Sequence, residues 1–215
     1  MSKGVAVLHS TLRSALAVCA VLPALIAGPS RAASSTDPDW PCIQPKVPQI
    51  AAGQVWSGPP VEEIGKSWRK DRAISELAQK LAERRTSLAE AKTLIGNFAA
   101  SLQGDKSQPL TALFARTLTL INSERASIIA GIGRYAKRQR ALSKKIEDEM
   151  AELNQLPQDE SEDSVSQRQD LLDVQAWDVR IFQEREKALR YVCEQPVLLE
   201  QRAFAIGREI QAHLK

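Results

Sequence analysis

The sequence is poor in the residues that carry chemistry. It has two histidines, three cysteines and ten glycines in 215 residues. His9 falls in the N-terminal leader described below. His213, the third residue from the C-terminus, reads as part of a fraying helix end. No Cys-x-x-Cys is present, which excludes a thioredoxin-type dithiol and c-type haem attachment. No cysteine or histidine spacing suits zinc. No Gly-x-Ser-x-Gly or Ser-x-x-Lys pattern stands at a strand-to-helix turn. Few aromatics and few glycines argue against a β-sandwich and for helices. The expectation is a protein with no catalytic residues, no metal and no cofactor.

Net charge is also scarce. The formal charge of +3 comes from the first 32 residues, which hold Lys3, Arg13 and Arg31 and no acid. Removing those three bases from 29 leaves 26, against 26 acids. A neutral body excludes a nucleic-acid-binding role carried by bulk charge.

Residues 1–32 read as a secretory signal peptide. Lys3 and Arg13 supply a basic start, Ala15 to Gly28 an apolar run, and Ser30-Arg31-Ala32 the small residues read by signal peptidase. The run is shorter than the ~20 residues that span a bilayer. Cleavage is expected near Ala32–Ala33, giving a periplasmic or secreted chain. An uncleaved anchor is the alternative. Leu16-Ala17-Val18-Cys19 resembles a lipoprotein box, but Val18 is too bulky before the cysteine. Cys19 leaves with the leader. Cys42 and Cys193 remain, and two cysteines in an oxidising compartment are expected to pair. Two free thiols are the alternative.

Residues 33–60 are set apart by Pro38, Pro41, Pro45, Pro48, Pro59 and Pro60, which keep the chain extended or turned. Trp40, Ile43, Val47, Ile50, Val55 and Trp56 give this segment apolar anchors, Trp40 and Trp56 foremost. It reads as a strap lying on a helical body. The stretch Asp39-Trp40-Pro41-Cys42-Ile43-Gln44, continuing through Val47-Pro48 to Val55-Trp56-Ser57-Gly58-Pro59, resembles the N-terminal segment of a group of small secreted alphaproteobacterial proteins. The resemblance covers the strap and not the helices. It implies export from a Gram-negative cell, and carries neither activity nor functional residues with it.

From residue 61 the apolar residues repeat every three or four positions. A first helix is expected to Leu102, with Ile74, Leu77, Leu81, Leu88, Ala91, Ile95 and Phe98 on its seam and only Arg84 interrupting it. Gly104 stops it. A second runs from about Gln108 to Leu156 on Phe114, Leu118, Ile121, Arg125, Ile128, Ile132, Tyr135, Gln139, Leu142, Ile146, Glu149, Leu153 and Leu156, a coiled-coil period broken only by Arg125, Gln139 and Glu149. Gly131-x-Gly133-x-x-Ala136 matches a dinucleotide fingerprint by letters alone, since no strand precedes it. The acidic turn from Glu147 to Asp163 lacks the glycine and alternating ligands of a calcium loop. A third helix follows, and Pro196 should kink or break it, leaving a short fourth from about Val197 to Leu214.

These readings combine into an all-α fold: an antiparallel, coiled-coil-like bundle of three long helices over residues 61–215, with burial coming from length rather than from a globular core. Cys193 would stand ~45 Å up the third helix, within the ~65–70 Å reach of the segment carrying Cys42, provided the strap runs along the rod.

One charge feature has shape. Arg134, Lys137, Arg138, Arg140, Lys144 and Lys145 crowd the second helix, and folding back would bring them towards Lys66, Arg69, Lys70 and Arg72, beside Trp68. Either a basic face docks on an anionic surface, or Asp173, Asp178 and Glu184 neutralise it from the third helix. Function is expected to lie in protein–protein contact, as a scaffold, adaptor or holdase-like factor, with another protein or a second copy as partner. Binding to an anionic membrane or polymer is the second reading, and an interhelical small-molecule or enzymatic site the third.

Overall fold

The computed structural model describes residues 37–61, 64, 71–157 and 161–214. The expected signal peptide, and Lys66, Trp68, Arg69 and Lys70 of the expected basic face, lie outside the described residues. Five helices are described: α1 (Ala52–Val55), α2 (Arg72–Ala82), α3 (Leu88–Ser101), α4 (Ser107–Gln155) and α5 (Glu162–Ala212). No strand occurs among the described residues, and the long helices pack on one another.

Over the described residues 71–102 the expected first helix is two helices. Asp71 caps α2 by accepting the Ile74 amide at 2.9 Å. The helix ends at Glu83, Thr86 turns back onto the Glu83 carbonyl, and Ser87 restarts the chain by capping the Glu90 amide at 3.1 Å. Ser87-x-x-Glu90 is a helix-start signal in the sequence. It overrides a seam that would otherwise run through. Arg84, the interruption in that seam, sits in the turn. Gly104, at φ +71°, makes the next turn in a conformation that side chains disfavour.

The expected break at Pro196 does not occur, and no separate fourth helix follows it; α5 runs through the proline. Proline removes one helical N–H and crowds the preceding turn. Side-chain donors reach three other carbonyls of this stretch. Gln195 donates to Tyr191 O at 2.9 Å, Gln44 to Cys193 O, and Arg125 to Pro196 O.

α4 and α5 form a long antiparallel hairpin. As α4 ascends through Tyr135, Gln139, Lys145 and Met150, its partners on α5 descend through Arg185, Phe182, Asp178 and Gln175. The 49 residues of α4 extend about 73 Å.

Burial is not spread along that length. A compact core occupies the base, where α2 and α3 pack against the N-terminal half of α4 and the C-terminal half of α5. Ile74, Leu81, Ile95, Leu110, Leu113, Phe114, Ile121, Leu199, Ile206 and Ile210 are its largest apolar members, closed over by Ile50, Val55 and Trp56 of the strap. Each such side chain contributes about 1.5–3 kcal/mol on burial. A smaller cluster of Trp40, Cys42, Ile129 and Ile132 sits higher. Beyond it, among the described residues, the hairpin is a bare helix pair.

Candidate functional site

The strap lies along one side of the hairpin, and each of its turns is held. Asp39 pairs with Lys137 at 3.1 Å and with Arg140, which also donates to Pro38 O. The Trp40 indole N–H donates to Gln44 O at 2.6 Å. Cys42 and Cys193 stand at disulfide distance, 2.00 Å between sulfurs. Asn122 brackets one residue, accepting from Ile50 N at 2.8 Å and donating to Ile50 O at 3.0 Å. Trp56 stacks on Phe114, and Gln211 donates to the Ser57 hydroxyl at 3.1 Å.

The polar residues in the α4 seam acquire roles here. Arg125 is buried, donates to Val47 O at 2.9 Å and to Pro196 O, and lies 3.6 Å from Glu200. It ties strap, α4 and α5 at one point. Burial pushes its guanidinium below its ordinary pKa, with Glu200 opposing. Gln139 donates to Phe182 O at 2.8 Å. Glu149 takes Lys145 at 3.2 Å. Arg202, which the apolar pattern did not single out, is buried in α5 and donates to Leu81 O at 2.7 Å, fixing α2 on the base.

Of the seven described cations of the expected basic face, five hold acids within the fold. Lys137 and Arg140 hold Asp39, Lys144 holds Asp148, Lys145 holds Asp178 and Glu149, and Arg72 holds Glu76. Of the two other acids expected to take part, Asp173 accepts from Gln169 and Glu184 pairs with Lys187. Among the described residues, Arg134 and Arg138 are exposed and make no ion pair.

Two surfaces are open. A groove of about 650 Å³ runs beside the Cys42–Cys193 pair, lined by Pro41, Ile43, Gln44, Glu186, Leu189 and Arg190 among others. Ile43 projects fully into solvent on its rim. The second surface is the side of the hairpin away from the strap. Steps of seven from Glu124 run through Gly131, Arg138 and Lys145 to Glu152, one stripe of α4. At Glu124 the stripe is covered by the α2–α3 turn, through Arg84 at 3.8 Å, and Arg84 also donates to Gln195 of α5. From Arg138 onward it is bare. On α5, Val174 stands one turn before the Asp178 that holds Lys145, which by helical spacing puts it on the same side; it is 46% exposed, and Trp177, next to Asp178 in the chain, is 61% exposed.

Among the described residues no cluster of histidines, cysteines and acids could hold a metal ion, and no helix is long and apolar enough to cross a membrane. No protein-family model matches the chain, and the curated proteins and the solved structures give no significant match.

Proposed function

We propose that this is an exported helical protein that works by protein–protein contact, as a scaffold, adaptor or holdase-like factor, through the upper half of the α4–α5 hairpin. One observation carries the reading. α4 and α5 continue past the base as a lone pair whose strap-free side leaves Trp177 and Val174 in water. Exposed tryptophan on a rigid helix is the kind of anchor that protein interfaces bury. A two-helix projection gains little for its own fold, so its length is better accounted for by what it reaches. Export is supported by the Cys42–Cys193 pair, which persists in oxidising compartments, and by the leader-like residues 1–32. An anionic membrane or polymer is a weaker fit as partner, because five of the seven described cations of the expected basic face already hold acids of the same chain.

A photo-crosslinking residue at position 177 tests the reading in living cells. Adducts to protein are expected from position 177 and not from Arg116, an exposed residue at the base. Equal labelling at the two positions, or none at 177, overturns it. Amino-terminal sequencing of the exported fraction should begin near Ala33; retention of Met1 refutes cleavage.

A further inference from the structure

We propose that the partner of the strap-free hairpin side is a second copy of this chain, packed antiparallel about a twofold axis near Lys145 and Trp177. The proposal rests on the hairpin-contact reading above and names its occupant.

Charge complementarity selects the copy. Residues 134–145 of α4 contain six bases and no acid, while residues 147–156 contain Glu147, Asp148, Glu149 and Glu152 and no base. Several of these charges are used within the chain. Arg134, Arg138 and Glu152 are not, and all three are exposed. Arg138 lies seven residues before Lys145, and Glu152 seven residues after it. Both sit on the bare stripe. A twofold axis at Lys145 therefore sets Arg138 of each copy against Glu152 of the other, the self-complementary pattern of an isologous interface. Lys145 itself, nearest the axis, does not repel its symmetry mate as a free charge, because Glu149 and Asp178 of its own chain hold it. A parallel arrangement would set basic block against basic block. Exposed ion pairs add little affinity, so their part is to fix register and direction. The affinity would come from Trp177 and Val174, which lie at the level of the axis.

The dimensions agree. Overlap from Arg134 to Leu156 spans about 35 Å of helix, and two helices are about 20 Å wide. That is roughly 700 Å² per copy, close to the ~800 Å² of a standard specific interface. The overlap stops short of Glu124, where the α2–α3 turn already covers the stripe.

Sedimentation equilibrium of the full chain tests this. A dimer is expected at micromolar concentration, with Kd rising no more than a few-fold between low and high salt, since the apolar contacts carry the affinity. Arg138→Glu and Glu152→Arg should each weaken it at least tenfold with unchanged helical signal. The double variant, which restores both pairs in swapped sense, should recover most of the loss. A monomer throughout, or single variants that leave Kd unchanged, overturns the proposal; so does a double variant no better than the singles. A monomer whose position 177 still crosslinks another protein refutes self-association and leaves the contact reading standing. A monomer with no adduct at 177 removes both.

Discussion

The Trp56 indole lies flat against the Phe114 ring, with centroids 4.2 Å apart and planes 8° apart. Phe114 belongs to α4 and is almost fully buried, so this contact makes the strap a wall of the base core rather than a covering. Trp56→Ala should therefore act as a core truncation. It is expected to cost about 3–5 kcal/mol, read as a lowered urea midpoint with little change in slope. A loss below 1 kcal/mol would show that the base core closes without the strap.

Gly207 makes a second demand at the same place. A Cβ built there would meet Val55 O at 2.5 Å and Phe114 at 3.1 Å. Gly207→Ala in a helix would ordinarily stabilise by up to ~1 kcal/mol. Here the strap backbone must move, and a net loss of about 1–3 kcal/mol is expected. Gly96 of α3 has nothing within 4 Å of its own added Cβ. Gly96→Ala should therefore show the ordinary gain, and opposite signs at the two positions in thermal unfolding are the check.

The helical class was legible in the sequence because the apolar spacing over residues 107–155 needs no tertiary information to read. In residues 37–60 proline limits helix and tryptophan demands burial, and both indole rings are buried; the four-residue helix α1 within the segment was not expected. The bridge at Cys42 and Cys193 followed from cysteine arithmetic, and its distance agrees. The split between α2 and α3 was written in Ser87-x-x-Glu90, but a three-four seam that runs across the turn masks a capping signal. Continuity through Pro196 could not be read locally. The residues around an interior proline ordinarily signal a kink or break, whereas Pro196 is buried and Leu199, just beyond it, belongs to a core built by distant segments. Arg125 looked like a flaw in a seam because its carbonyl partners belong to segments that only the fold brings near. The bare stripe was equally hidden: nothing in the order of residues says that the strap takes one side of the hairpin and α2–α3 covers only the foot of the other.

Cys42 and Cys193 are 151 positions apart. Closing so long a loop is worth about 5 kcal/mol in the chain-entropy account. The strap's remaining bonds, from Asp39 to Ser57, hold it in the native state whether or not the sulfurs are joined. Reduction, or the Cys42→Ser with Cys193→Ser variant, should therefore lower stability by several kcal/mol without unfolding the chain at room temperature. Unfolding followed by circular dichroism, with and without reductant, measures the loss. An unchanged midpoint would mean that the two sulfurs are not bonded in the isolated protein.

Acid should loosen the strap at its upper end first. Asp39 has its pKa held below the ordinary carboxylate value by hydrogen bonds from Arg140 and then Lys137, with desolvation opposing. A depressed folded-state pKa means the contribution is present above the ordinary value and disappears as pH falls through the folded one. Asp37, lowered by Lys46, behaves in the same sense two residues away. Lys145 has the opposite sign. Asp178 and then Glu149 raise its pKa, so its contribution to the hairpin is full at neutral pH and is lost only as pH climbs through the raised value. Between those limits stability should be flat with respect to these groups. The Trp40 indole N–H, bonded to Gln44 O, reports the acid limb. Its amide-region resonance should shift below the carboxylate range in the wild-type chain. In Asp39→Asn that shift should already be present at neutral pH. A Trp40 signal unaffected by either change would show that Asp39 does not hold the strap.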